Sequence, residues 1–186
     1  SFNQQLLRLK EKKIRICIFG KSGVGKSSIL NLLLNKHVFP TSIINGHTKE
    51  IQSQKWPLKH EILNCIELLD SPGFDFCNFD LKSNSSYLIN NSELFLFTVT
   101  GDLNRNELTK INSLINHGKK IIIIFNKIDT WERNELQKII LSIKSKLPKD
   151  INIPIILNSR NNIRDYIKEV IKQYGDILLT LNSFKL

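Results

Sequence analysis

The feature that most constrains this chain is the stretch IFGKSGVGKSSILNLL, residues 18–33. The apolar run that ends at Gly20 predicts a buried strand, and the apolar residues after the glycines recur at helical spacing. Between them the sequence matches GxxxxGK[ST], in which Gly25, Lys26 and Ser27 close the motif. Glycines allow the backbone to bring several N–H groups toward an anion at the positive end of a helix. The stretch therefore predicts a loop that binds phosphate.

The side chains of this loop have the chemistry that a nucleoside triphosphate requires. Lys26 supplies a positive charge for the β and γ phosphates, and the hydroxyl of Ser27 can ligate Mg²⁺. The alternative is a glycine-rich turn without a ligand. The residues predicted to bind the nucleotide at this loop are Gly20, Ser22, Gly23, Val24, Gly25, Lys26, Ser27 and Ser28.

A second polar loop, DSPG at residues 70–73, follows the apolar run IELL. A carboxylate at the carboxyl end of a strand suits Mg²⁺, so Asp70 is a candidate metal ligand, either directly or through water. Gly73 would let its backbone N–H approach the γ phosphate. Taken alone, DSPG is an ordinary turn. Its place after a phosphate-binding loop makes it the candidate second element of the metal site.

A third polar loop, NKID at residues 126–129, follows the run IIIIF. A carboxylate accepts hydrogen bonds from both N1–H and the exocyclic amine of guanine, whereas adenine presents no such pair of donors. Asp129 therefore predicts selection of guanine. Asn126 can tie this loop to the phosphate-binding loop, and the aliphatic part of Lys127 can lie on the base. The alternative is a polar entry to a helix.

The rest of the chain alternates between strand and helix patterns. Continuous apolar strands are typical of a parallel sheet that is covered on both faces. Asn104 with Glu107 predicts a capping box, and the short spacing around Pro57 predicts a hairpin. Residues 36–48 and 71–91 show no periodicity and are predicted to be loops. The predicted strands are 13–19, 49–56, 61–70, 93–100, 120–125 and 151–157, and the predicted helices are 3–12, 26–35, 104–116, 131–147 and 162–181.

These elements predict a three-layer α/β domain. The expected sheet is mostly parallel and six-stranded, with one antiparallel edge strand and helices on both faces. Residues 1–12 are interpreted as an N-terminal helical extension and residues 13–186 as the domain itself. A length of 186 residues with 41% hydrophobic composition fits one domain of this kind.

Composition restricts the compartment and the partners. The three cysteines, Cys17, Cys65 and Cys77, form no CxxC pair, so they indicate neither a disulfide framework nor a zinc site. No apolar run is long enough to cross a membrane, and the N-terminus has no signal-peptide pattern, so we expect a cytoplasmic protein. Attachment to a membrane surface would then come from segments outside this chain. The net charge of +10 would suit RNA or an anionic membrane as partner, but 28 Ile, 20 Asn and 21 Lys fit an AT-rich coding sequence, which is the preferred explanation of the charge.

Together and in this order, GKSGVGKS, DSPG and NKID resemble the signature of the P-loop GTPases over essentially the whole chain. Gly46-His47-Thr48 resembles the first switch of Era-like GTPases, which implies that Thr48 ligates Mg²⁺ and senses the γ phosphate; Thr41 is the alternative. Residues 158–160 stand where the family has its Ser-Ala-Lys loop. That resemblance implies a backbone contact to guanine, with Ser159 the first candidate and Arg160 beside it.

Within the superfamily, the chain is most similar to the Era-like and TrmE-like GTPases, while its phosphate loop resembles those of septins and chloroplast-translocon GTPases. The resemblance implies a G domain that binds GTP and GDP with Mg²⁺ and acts as a molecular switch, with Lys26, Thr48 and Gly73 as catalytic candidates. Phe74 stands where Ras-like proteins have a water-orienting Gln, which implies slow hydrolysis without a partner or self-association. The alternatives are a nucleotide-dependent scaffold or assembly module, and an RNA- or ribosome-associated assembly GTPase.

The aromatic residues after Gly73 allow two interpretations. Phe74, Phe76 and Phe79 could pack under the edge of the sheet. They could instead form a contact patch for a protein effector that γ phosphate orders. Both interpretations place them in the presumed second switch.

Overall fold

The computed structural model describes residues 12–41, 50–59, 61, 63–75, 83–158 and 162–183. Apolar strands and amphipathic helices alternate along this part of the chain. The strands are β1 (Lys13–Gly20), β2 (Gln52–Trp56), β3 (Cys65–Asp70), β4 (Leu94–Val99), β5 (Lys120–Phe125) and β6 (Ile155–Leu157), and the helices are α1 (Lys26–Leu34), α2 (Ser83–Asn91), α3 (Arg105–Asn116), α4 (Arg133–Lys146) and α5 (Asn162–Ser183).

The six strands form one sheet in the order β2-β3-β1-β4-β5-β6. β2 pairs antiparallel with β3, and the other neighbouring strands pair in parallel. The predicted mostly parallel sheet with one antiparallel edge strand is confirmed, as is the predicted hairpin. In the register of the sheet, Ile18 lies opposite Asp70 and Gly20 lies opposite Thr98, so the carboxyl ends of these strands meet at one edge.

Alternate residues of each central strand face opposite sides of the sheet and enter two separate cores. On β1, Ile16 and Ile18 belong to the core that α1 and α5 cover, whereas Cys17 and Phe19 belong to the core that α2, α3 and α4 cover. All four side chains are buried. Helices therefore cover both faces of the sheet, and the three-layer architecture is confirmed.

Several predicted boundaries differ from the structure. The strands predicted at 49–56, 61–70 and 151–157 begin later, at Gln52, Cys65 and Ile155. The helix predicted from residue 131 begins at Arg133, after a short 3₁₀ turn at Ile128–Thr130. The capping box of α3 is confirmed: Asn104 Oδ1 accepts from the Glu107 N–H at 3.0 Å, and Glu107 Oε2 accepts from the Asn104 N–H at 2.9 Å.

The prediction of a loop over 71–91 is wrong for its last part, because Ser83–Asn91 is a helix. Serine and asparagine favour caps and turns over helix interiors, so this composition hides a helix from the sequence pattern. The fully buried Leu88 anchors α2 in the core. Tertiary packing thus overrides weak local propensity here.

Several predictions lie outside the described residues. They are the N-terminal helix predicted at 3–12, of which only Lys12 is described, and the residues Thr48, Phe76, Cys77, Phe79, Ser159 and Arg160. Cys17 is buried and Cys65 is partly buried, and both are free thiols. Within the described ranges, no helix combines the length and the hydropathy needed to cross a lipid bilayer.

Candidate functional site

The phosphate-binding loop connects the carboxyl end of β1 to the first turn of α1. Gly25 immediately precedes α1 with a φ of +93°, a left-handed conformation that favours glycine. A Cβ atom at this position would collide with the amide of Asn126. Because Gly25 brings no side chain to cap α1, the N–H groups of the first helical turn are available to an anion.

Lys26 is held against the loop that precedes it. Its side chain is buried, and its Nζ donates to the carbonyl of Lys21 at 2.6 Å. Burial lowers the pKa of the Lys26 ammonium, while the carboxylates of Asp70 and Asp75 act in the opposite direction. A partly desolvated positive charge therefore lies within the loop, where phosphate oxygens would bind.

Ser27 and Asp70 meet at the carboxyl end of β3. Ser27 Oγ donates to Asp70 Oδ2 at 2.5 Å, and the Asp70 side chain is fully buried. Burial raises the pKa of the Asp70 carboxyl, and the Ser27 hydrogen bond and the Lys26 charge oppose that shift. The second oxygen, Oδ1, has no hydrogen-bond partner among the described residues.

This pair fits a magnesium ion. Mg²⁺ prefers oxygen ligands and commonly uses one or two protein groups beside phosphate oxygens. Ser27 and Asp70 supply a hydroxyl and a carboxylate, and an unpartnered buried carboxylate oxygen is costly without a cation or donor. When bound, Mg²⁺ neutralises charge on the β and γ phosphates.

The segment Gly73–Asp75 lies directly on the phosphate-binding loop. The Phe74 N–H donates to the Gly20 carbonyl at 3.4 Å, and the Ser22 N–H donates to Asp75 Oδ1 at 2.7 Å. Gly73 lies so close to Ser22 that a Cβ atom would collide with both the Ser22 nitrogen and its hydroxyl. A side chain at position 73 would therefore force the segment away from the loop.

The ring of Phe74 is buried, with 3% of the residue exposed. Its centroid lies 5.5 Å from that of Phe19 and 6.1 Å from that of Phe97. The interpretation that this residue packs under the sheet is therefore the correct one for Phe74, which does not present its ring as a contact surface.

Asn126 joins the predicted guanine loop to the phosphate-binding loop. Its Nδ2 donates to the Val24 carbonyl at 2.8 Å, and its Oδ1 accepts from Asn158 Nδ2 at 2.6 Å. The first contact is the one expected from the sequence. The second was not predicted, because the carboxyl end of β6 adjoins that of β5 only in the folded sheet.

The remaining polar residues of this loop are exposed, whereas Ile128 is partly buried against the core. Lys127 has a φ of +55°, and its Nζ donates to the Gly23 carbonyl at 2.9 Å. Asp129 lies on the 3₁₀ turn with its side chain exposed. The structure thus places the predicted guanine ligand beside a residue that contacts the phosphate-binding loop. Ser28 is exposed in the first turn of α1, and Thr41 is exposed in the loop after α1.

The phosphate-binding loop is also held by an ion pair to α3, which the sequence did not indicate. Lys21 Nζ lies 3.3 Å from Oε1 of Glu107, whose side chain is almost fully buried. Glu107 is also the residue that completes the capping box of α3. One carboxylate therefore connects the loop to the start of α3, and only its capping role was evident from local spacing.

Comparisons with known proteins agree with this geometry. The family model described as "50S ribosome-binding GTPase" matches residues 15–127. A probable GTP-binding protein EngB from Lachnospira eligens is 26% identical, with 81% of this chain and 75% of that protein covered. GTPase Der from Buchnera aphidicola is 30% identical over 75% of this chain, which spans only 32% of Der.

Solved structures of Era show the same architecture. An Era variant from Aquifex aeolicus bound to GDP·AlF4⁻ has a TM-score of 0.70 at 24% identity, which shows the shared fold. Era in complex with MgGDPNP and a segment of 16S ribosomal RNA has a TM-score of 0.68 at 25% identity. In both cases 86% of this chain is covered, and it spans 56% of the Era chain.

The family model covers the phosphate-binding loop, DSPG, and Asn126 with Lys127. The geometry adds a magnesium-compatible hydroxyl and carboxylate, and the expected mostly parallel sheet with one antiparallel edge strand. The chain therefore belongs to the family of the 50S ribosome-binding GTPase model and is a P-loop GTPase that uses GTP and GDP with Mg²⁺.

Proposed function

We propose that this chain is a molecular switch whose isolated domain hydrolyses GTP slowly. The observation that carries the proposal is the burial of Phe74, which follows Gly73 and packs against Phe19 and Phe97. A phenyl ring neither orients water nor accepts its proton, so the position after Gly73 offers no catalytic side chain. The neighbouring Asp75 hydrogen-bonds to the Ser22 N–H instead.

The charge-stabilising part of the site is nevertheless present. Lys26 and the N–H groups at the start of α1 can neutralise phosphate oxygens, and Ser27 with Asp70 can hold Mg²⁺. Phosphoryl transfer depends mainly on positioning and charge neutralisation, so some hydrolysis follows from these groups alone. A catalytic group supplied by another protein or a second copy can add about 10³ to 10⁵ in rate.

The contact between Gly73–Asp75 and the phosphate-binding loop supports a switch. Gly73 abuts Ser22, so a γ phosphate that binds at this end of the loop would change the environment of the segment. Thr48, which lies outside the described residues, is the proposed second sensor. We propose that the two segments around Thr48 and Gly73 become more ordered when γ phosphate is bound.

Single-turnover hydrolysis of GTP at several protein concentrations tests this proposal. We expect slow turnover at low concentration and acceleration by self-association or a cognate partner, with Lys26→Ala as the binding-deficient control. Rapid turnover by the dilute parent chain would contradict it. Tight GTP binding without measurable turnover under any condition would favour the scaffold alternative.

Hydrogen exchange tests the switch itself. Protection of the two segments is compared between the GDP state and the state with a non-hydrolysable GTP analogue. We expect greater protection in the analogue state. Equal protection in both states would mean that the nucleotide is a fixed structural cofactor.

A second candidate function is RNA binding: we propose that the protein binds RNA in the cytoplasm. The net charge of +10 supports a polyanionic partner, as does the Era relative solved with 16S ribosomal RNA. Binding of ribosomal RNA and of anionic vesicles is measured at two salt concentrations. We expect RNA binding that weakens steeply with salt and exceeds vesicle binding, and the reverse order would favour a membrane surface.

A further inference from the structure

The contact between Asp75 and the phosphate-binding loop resembles the contact that a phosphate oxygen would make. The Ser22 N–H donates to Asp75 Oδ1 at 2.7 Å, which is the length of a charge-assisted hydrogen bond. Backbone N–H groups of this loop are the donors that bind phosphate oxygens. A carboxylate of this chain thus already uses one of these donors.

A second observation concerns the electrostatic interaction between the Asp75 carboxylate and the Lys26 ammonium. Asp75 is among the charges that raise the pKa of Lys26 against the effect of burial. Lys26 is the residue that neutralises the β and γ phosphates. The two groups that Asp75 interacts with, the Ser22 N–H and the Lys26 charge, are therefore both groups that γ phosphate requires.

The position of Gly73 identifies which phosphate is affected. Gly73 is the predicted sensor of the γ phosphate, and it lies against the nitrogen and hydroxyl of Ser22. Asp75 is two residues later and contacts that same residue. The carboxylate therefore lies at the γ-phosphate end of the site, where GTP and GDP differ.

We propose that Asp75 is a specificity-determining residue that competes with the γ phosphate for the phosphate-binding loop and so biases the resting domain toward GDP. Binding of GTP requires the Ser22–Asp75 hydrogen bond to break, because two anionic groups cannot share one donor beside each other without repulsion. Binding of GDP leaves the bond in place. The inference rests on the proposed switch and specifies how its GDP state is held.

The variant Asp75→Asn removes the negative charge and keeps the shape of the side chain. Since the Asp75 side chain is exposed, the lost competition is modest, and we expect affinity for GDPNP with Mg²⁺ to rise about five- to tenfold. Affinity for GDP should change less than twofold. Calorimetry on the full chain measures both constants without hydrolysis.

The matched control is Asp165→Asn, which makes the same charge change on α5, where Asp165 pairs with Lys168. It should change neither the GDPNP affinity nor the GDP affinity. The control thus separates the local effect of Asp75 from the effect of the net charge of the protein. In the nucleotide-free protein, the Ser22 amide proton should also shift upfield in Asp75→Asn but not in the control. This shift reports the hydrogen bond independently of nucleotide.

Three results would overturn the inference. The first is an equal gain in GDP and GDPNP affinity, and the second is unchanged GDPNP affinity. The third is weaker GDPNP binding in Asp75→Asn, which would make Asp75 part of the GTP-binding set. None of these results depends on the hydrolysis or hydrogen-exchange behaviour that tests the switch, so the two proposals fail separately.

Discussion

At the scale of single residues, Asp129 is predicted to determine the choice of base. Asp129→Asn replaces an acceptor of two guanine hydrogen bonds with an amide that matches the 2-carbonyl of xanthine. Hydrogen bonds to charged groups contribute about 1.5–3 kcal/mol, so GDP affinity should fall about 10- to 100-fold while affinity for the xanthine nucleotide rises. Competition binding with both nucleotides measures the change. Parent-like GDP affinity in the variant would show that another residue reads the base.

We predict that Ser27 distinguishes triphosphate from diphosphate through the metal. Ser27→Asn removes the hydroxyl that contacts Asp70, and it should weaken binding of the GTP analogue at least about tenfold, and more than binding of GDP. Calorimetry with and without Mg²⁺ measures this difference. The control is Ser145→Ala on the exposed surface of α4, which should leave the affinity for both nucleotides unchanged. If Mg²⁺ changed nucleotide affinity equally in Ser27→Asn and in the parent, Ser27 would not be a ligand of the metal.

Asp70 illustrates a conflict between stability and function. Burial raises its pKa, so the folded state binds a proton more readily than the unfolded state does. The stabilising effect of that proton is present below the unfolded pKa and disappears as pH rises through the raised folded pKa. Above its raised pKa and without nucleotide, the ionised carboxylate is therefore destabilising.

Asp70→Asn should accordingly raise the free energy of unfolding of the nucleotide-free chain at pH 7. The difference from the parent should shrink as pH falls and Asp70 becomes protonated. Urea unfolding at several pH values measures this trend, and Mg²⁺-dependent binding of the GTP analogue should weaken in the same variant. A constant difference at all pH values would mean that the effect does not arise from ionisation.

At the scale of secondary-structure elements, the start of α3 carries more than one function. Asn104 and Glu107 form the reciprocal cap, and Glu107 also pairs with Lys21 of the phosphate-binding loop. Asn104→Ala should cost about 1 kcal/mol of stability because it removes the side-chain acceptor of the cap. Asn106→Ala, an exposed change in the same turn, should cost clearly less. Chemical denaturation compares the two, and equal costs would argue against the cap.

Elements with strong local signals were predicted well. The runs that became β1, β4 and β5 are predominantly apolar. The cap of α3 has its own four-residue pattern. α2 was missed because its composition is that of a loop and its stability comes from burying Leu88. Strand starts at β2, β3 and β6 were placed too early, since pairing with a neighbour rather than sequence determines where a strand begins.

The same distinction holds within the site. The glycines, Lys26 and Ser27 follow from local chemistry at fixed spacing. The contacts of Asn158 with Asn126 and of Asp75 with Ser22 join residues far apart in sequence. No spacing rule reports such pairs, because they depend on which strand ends become neighbours.

At the scale of the whole molecule, the two faces of the sheet are not equivalent. Phe74, which follows the proposed γ-phosphate sensor Gly73, packs into the core shared by α2, α3 and α4. The core beneath α1 and α5 contains no residue of the segment Gly73–Asp75. A displacement of that segment would therefore first change the packing on the face that α2, α3 and α4 cover.

This asymmetry has a practical consequence for reagents built on the protein. A reporter dye on the α2–α3 side would sense the nucleotide, whereas an anchor on the α5 side would not interfere with it. Lys172 is exposed on α5, so its position is accessible to an introduced dye or a surface tether. A dye at Lys172 should give the same emission with GDP and GDPNP, and one at the exposed Tyr87 of α2 should not. The fold thus provides separate sites for immobilisation and for readout on opposite sides of one sheet.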